Sequence, residues 1–154
     1  MGEKVNPIPD QYRGAMPYLC VKGGAAAIDF YKKAFGAREV VRIPMGEGKI
    51  GHAELKIGEA LFMLADEFPE MSFRSPESLG GTPVNIVVYV ENVDELVKGA
   101  EDAGAKVLRQ PADQFYGDRM ASLQDPFGHS WSFATHVEDV SPEELERRAE
   151  AQQN

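Results

Sequence analysis

A chain of 154 residues with 43% hydrophobic content suffices for one core of ordinary size and is too short for two independent domains joined by a linker. Its formal charge of -9, with 16 scattered basic residues, excludes a nucleic-acid backbone as partner, because phosphate contacts need clustered Lys and Arg. A single cysteine excludes a disulfide framework, and no apolar run approaches the roughly 20 residues of a membrane span.

The opening MGEKVNPIPDQYRG has neither helical nor strand periodicity and no apolar segment of a secretory signal, so residues 1–15 read as a flexible arm and the expected setting is cytoplasmic. From Met16 the segment MPYLCVK alternates, with Met16, Tyr18 and Cys20 on one face and Pro17, Leu19 and Val21 on the other. A helix is expected over 24–35, with Ala27, Ile28, Tyr31, Ala34 and Phe35 on its apolar stripe and Gly36 as its left-handed cap. A strand over 37–43, the turn PMGEGK, and a hairpin across Gly58-Glu59 complete this half. In the first arm of that hairpin, Gly51, Ala53, Leu55 and Ile57 face the helix, while Ile50, His52, Glu54 and Lys56 project from the other face.

The segment DEFPEMSFRSPESLGGTP lacks a period and reads as a crossover. A blurred copy of the first half follows. Val21 lies 15 residues before Gly36, and Val90 lies 14 before Gly104, so the copy preserves the spacing of unlike elements. Asn92 and Glu95 have capping-box spacing, and Val93, Leu96, Val97, Ala100 and Ala103 form the buried stripe of a second helix that Gly104 closes. A strand over 105–110 leads to a final hairpin turning at Asp125-Pro126-Phe127-Gly128, with Trp131 and Phe133 expected beneath the second helix. Ser141 and Pro142 start a tail helix.

The expected class is therefore α+β: one domain over 16–137, made of module one (16–66), a crossover (67–83) and module two (84–137), with a helical tail over 138–154. Two βαβββ modules ending in DPFGHSW resemble the vicinal oxygen chelate superfamily, the glyoxalase/bleomycin resistance/dioxygenase fold. More narrowly, PYLCVKGGAAAIDFYKKAFGA and YGDRMASLQDPFGHSWSFATHVEDVSPEE look like its PhnB-like branch. The resemblance implies curved mixed sheets with helices on the convex side, a ligand cavity on the concave side and a homodimer. It also implies four divalent-metal positions, which fall at Met16, Met63, Asn85 and Ser132. Thioethers, an amide and a hydroxyl are poor ligands for such ions, so no metal and no other cofactor is expected.

His52 and Glu54 remain the candidate catalytic pair, two residues apart on one strand face. A structural pairing or a simple ligand contact is placed ahead of catalysis there. Expected ligand contacts are Met16, Tyr18, His52, Glu54, Met63, Asn85, Tyr89, Arg119 and Ser132, with Tyr116 as a further aromatic wall. For Arg119 the ordinary alternative is pairing with Asp113 or Asp118, and His129 and His136 read as a backbone-bonded and a surface residue. Three functions are weighed. The first is a dimeric, metal-free small-molecule binder; the second is a lyase, isomerase or dioxygenase with a rearranged metal site; the third is a structural or regulatory dimer with a vestigial pocket.

Overall fold

The computed structural model describes residues 2–154. Module one runs β1 (Tyr18–Val21), α1 (Gly24–Phe35), β2 (Arg38–Pro44), β3 (Ile50–Ile57) and β4 (Ala60–Asp66). The crossover carries a 3-10 turn, Pro69–Met71, and one helical turn, α2 (Pro76–Leu79). Module two runs β5 (Asn85–Tyr89), α3 (Val93–Asp102), β6 (Lys106–Asp113), β7 (Asp118–Gln124) and β8 (Ser130–His136), and α4 (Pro142–Ala151) follows. The chain thus forms two four-stranded mixed sheets, ordered β1-β4-β3-β2 and β5-β8-β7-β6, as the α+β reading requires. In each, the first strand pairs in parallel with the last, and the remaining pairings are antiparallel.

The two sheets repeat the same rung. Tyr18, Met63 and Glu54 lie side by side across β1, β4 and β3, and Val87, Ser132 and Ser122 lie side by side across β5, β8 and β7. These six residues occupy equivalent places, so the internal repeat in the sequence is a repeat of register as well as of elements.

Helix α1 spans the expected residues and ends where Gly36, at φ 65°, donates its N–H to the Tyr31 carbonyl. Its N-terminus has no side-chain cap of its own, because Gly23 precedes it. Asp66, at the end of β4, supplies the missing acceptor: Oδ1 takes the N–H groups of Gly23 and Gly24 at 2.8 and 3.0 Å, and Oδ2 takes that of Ile50 at 2.7 Å. A Cβ at Gly24 would lie 2.8 Å from both Asp66 Oδ2 and the Ile50 Cβ, so glycine is what lets the helix start this close to the sheet. Helix α3 is capped by Asn92 as expected, but Ala103 is its C-terminal cap and Gly104, at φ 116°, comes one residue later.

One hydrophobic core joins the modules. β8, which carries Trp131 and Phe133, packs against α3, and the two rings also cross to module one, where Phe35 of α1 lies 4.9 Å from Trp131 and 4.8 Å from Phe133. Apolar rings from both halves merge because α1 and α3 lie against each other. Buried Asp125 ties the joint. Its Oδ2 accepts from Tyr31 of module one at 2.5 Å and from the Trp131 indole at 2.8 Å, while Oδ1 holds the backbone of Phe127 and His129. His129 reaches back across the joint to the Cys20 carbonyl at 2.8 Å. Ile50, expected beside His52, is a core residue, because the register of β2 and β3 shifts between Ile43 and Pro44.

Candidate functional site

Alternation along β3 sends Ala53 and Leu55 into the core and leaves His52 and Glu54 on the face opposite the helices. An isolated carboxylate there would be solvated, yet Glu54 is only 5% exposed. The arm explains this. The turn Asp10–Tyr12 brings the Tyr12 hydroxyl to within 2.9 and 3.0 Å of the two Glu54 oxygens. His52 Nε2 meets Glu54 Oε2 at 2.8 Å, and Tyr18 Oη meets His52 Nδ1 at 2.7 Å. The result is an unbroken chain, Tyr12–Glu54–His52–Tyr18, across the open face of the first sheet.

A carboxylate on Nε2 requires that nitrogen to carry a proton, so a neutral His52 offers Nδ1 to accept from Tyr18. The hydrogen bond to Glu54 holds the Tyr12 phenol above its ordinary pKa, and burial followed by the Glu54 charge raises that of Tyr18. Both phenols therefore remain proton donors at neutral pH. Phe73 of the crossover meets Tyr18 edge to face at 5.8 Å, and Met63 fills the rung beside Tyr18 and Glu54.

The open face of the second sheet has different chemistry. Asn85 Nδ2 donates to Ser132 Oγ at 2.9 Å, Ser122 and Ser132 hydroxyls lie 3.0 Å apart, and Ser130 donates to Asn85 Oδ1 at 3.3 Å. A cavity of about 530 Å³ opens over this cluster, with Arg109 and Tyr116 in its wall. Further along the face, the Tyr89 hydroxyl donates to Asp118 at 2.6 Å, and His136 sits between Asp118 and Asp139 at 2.8 and 2.7 Å.

The expected contacts thus divide into groups. Tyr18, His52, Glu54 and Met63 gather on the first open face, whereas Asn85 and Ser132 gather on the second, and Tyr89 stands beside Asp118. Met16 lies apart, in a cavity of about 420 Å³ between the arm, β4 and β5. Arg119 turns to the helix side, where Asp94 of α3 holds it at 2.7 and 2.8 Å and Asp113 at 3.1 Å. Two participants escaped the sequence reading. Tyr12 lies in an aperiodic arm, 42 residues from its partner. Asp118 was visible only as a possible partner for Arg119. Alternation along DRMASLQ, read from Ser122, would have placed it on the open face.

Among the described residues, no group of three or more His, Cys, Asp and Glu side chains is arranged to hold a metal ion. Among the same residues, no helix is long and apolar enough to cross a membrane.

Comparison with known proteins gives the family. A profile of the Glyoxalase/Bleomycin resistance protein/Dioxygenase superfamily matches residues 11–133. An uncharacterised protein of Mycobacterium bovis is 43% identical over 139 residues, covering 88% of this chain and 91% of that one. TioX from Micromonospora sp. ML1 superposes with a TM-score of 0.63 at 26% identity, covering 83% of this chain and 99% of that one. The fosfomycin resistance protein FosX of Listeria monocytogenes, solved with Mn(II) and sulfate, shares the fold at a TM-score of 0.61 and 16% identity, over 88% of this chain and 96% of that one. With both sheets shared and most of its length matched, this chain belongs to the glyoxalase/bleomycin resistance protein/dioxygenase superfamily.

Proposed function

We propose that the chain binds a small molecule against the open faces of its sheets, without the divalent metal used by many members of its superfamily. The observation that carries this reading is the buried carboxylate of Glu54 on a helix-free face, held by Tyr12 and His52 beside the half-exposed ring of Tyr18. A polar chain of this kind, bordered by Phe73 and Met63, offers both orientation and apolar contact to a ligand. Metal-free binding is supported by the donor set. Met63 shares its rung with Tyr18 and Glu54, Asn85 and Ser132 satisfy one another, and Met16 stands elsewhere, so the four family positions do not fit a divalent cation.

The same reading places the chain in the PhnB-like branch, in the cytoplasm and in a homodimer. Buried, unpaired Cys20 suits a reducing compartment. Val87, Tyr89 and Leu108 leave apolar surface exposed on module two, which a second subunit would cover.

Two measurements test it. Protein purified without chelator is expected to carry no stoichiometric Zn, Ni, Mn or Fe; one equivalent that disappears in His52→Ala overturns the metal-free reading. In a small-molecule screen read by melting temperature, a true ligand raises the midpoint by binding the native state, and Glu54→Gln is expected to weaken that shift. A screen without any stabilising compound favours a structural dimer instead.

The Tyr18–His52–Glu54 order also supports a second reading, proton-transfer catalysis. Tyr18 would take a proton from the substrate as its own passes to His52 Nδ1, and the resulting imidazolium would face Glu54. Turnover that falls in Tyr18→Phe while binding persists would establish it.

A further inference from the structure

The cavity over module two differs in charge from the rest of the chain. In a protein of net charge -9, none of the side chains lining it is a carboxylate, and its one cation is Arg109. Among the described residues, no acidic group lies within ion-pair distance of that guanidinium; Arg38 and Arg74 are likewise unpaired, but neither lines this cavity, while Arg13, Arg42, Arg119, Arg147 and Arg148 are paired. The neighbouring Asp113 is engaged by Arg119. The backbone is also irregular here: the pairing of β6 with β7 shifts register on both sides of Arg109, between Val107 and Arg109 and again between Arg109 and Ala112. Bulges of this kind re-aim side chains beside binding sites. Arg109 stands opposite Ser122, whose hydroxyl belongs to the cluster on the open face.

The remaining polar groups supply further donors. Ser132 Oγ already accepts from Asn85, and Ser122 and Ser132 share one hydrogen bond. Whichever of the two hydroxyls donates, the pair keeps one hydrogen for a third partner. The Tyr116 hydroxyl is spent on the Met120 thioether, a weak acceptor that a ligand oxygen would displace.

We propose that this cavity binds a small hydroxylated oxyanion, a carboxylate or phosphate monoester whose charged end meets Arg109 and whose hydroxyl groups meet the serine cluster. The inference rests on the reading that the open faces bind small molecules, and it assigns a ligand class to one of them. An unpaired guanidinium is pre-shaped for two oxygens of such a group, and a cavity without carboxylates adds no repulsion.

The test is titration of the intact protein with D-gluconate, glycerol 3-phosphate, neutral sorbitol and cationic glucosamine, followed by amide NMR shifts and melting temperature. At least one of the two anions is expected to shift the resonances of Arg109, Ser122 and Ser132; which of them does so identifies carboxylate or phosphate. Arg109→Gln should weaken that anion by roughly tenfold or more, since a charge-assisted pair is lost. Arg109 is exposed, so this variant is expected to fold. Ser122→Ala should weaken the anion less. Sorbitol binding as well as the anions, preference for glucosamine, an unchanged anion affinity in Arg109→Gln, or no response to either anion at millimolar concentration each overturns the proposal. His52→Ala separates it from the broader reading, because it disturbs only module one's open face and should leave the anion response intact.

Discussion

The Tyr12 hydroxyl lies 2.9 and 3.0 Å from the two carboxylate oxygens of Glu54, so a residue of the N-terminal arm covers the most buried charge on module one's open face. A contact that spans 42 residues and rests on one side-chain hydroxyl makes the arm separable from the domain. Tyr12→Phe keeps the ring and removes the donor. Trypsin cleavage after Arg13 is expected to accelerate several-fold in this variant, while the melting transition of the domain changes little. Unchanged cleavage would mean that the arm is held by other contacts.

The joint between the modules depends on a different carboxylate. Asp125 is buried and accepts four hydrogen bonds, one of them from Tyr31 in the other module. Tyr31→Phe deletes that donor without changing the ring. Leaving a buried carboxylate one partner short costs about 1 to 3 kcal/mol. Urea denaturation should show a loss of this size with an unchanged slope, since the surface exposed on unfolding is the same. A loss close to zero would show that Asp125 is satisfied without module one.

Architecture was legible because it is written in two short periods. The 3.6-residue stripe of GAAAIDFYKKAF and the alternation of HAELKI each fix a face locally, and the repeat then fixes order and register. Where the pairing is regular, alternation places residues well: His52, Glu54 and Asn85 all lie on the open faces, whereas Ile50 and Met16 do not. Two kinds of information were hidden. Partner choice across the chain was one, since nothing near Arg119 names Asp94, 25 residues away, as its partner. Local breaks in pairing were the other. The shift between Ile43 and Pro44 buries Ile50, and the shifts around Arg109 give the second cavity its cation, but periodicity cannot show where a strand gains a residue. Trp131 illustrates a third limit: its burial was legible, but its contact with Phe35 of the other module was not. Which rings cross from the other module depends on how the two modules meet.

Cys20 provides a check on burial at β1. Desolvation, then the charges of Glu67 and Asp66, push its thiol up to about 11. Thiolate is the reactive form, so alkylation by iodoacetamide at pH 8 should be far slower than for an exposed cysteine and should become fast in urea. Rapid modification of the native protein would show that the strand is open to solvent.

His136 gives the chain a pH dependence with a determined sign. Hydrogen bonds to Asp118 and then Asp139 raise its pKa above the ordinary 6.5, and Asp118, hydrogen-bonded by Tyr89 and His136, is lowered below 3.8. For the imidazole, a raised folded-state pKa contributes stability that is complete below 6.5 and is lost as pH rises through the folded value. For the carboxylate, a lowered pKa contributes stability that is present above 3.8 and is lost as pH falls through the folded value. The pair is therefore strongest between those limits. The stability difference between the native sequence and His136→Gln should be greatest near pH 5 to 6 and shrink toward pH 9, with salt reducing it because His136 is exposed. Denaturation across pH, with the imidazole followed by NMR, measures both quantities. A difference that stays flat across the series, or an imidazole that titrates below 6.5, would show that the ion pair does not form in solution.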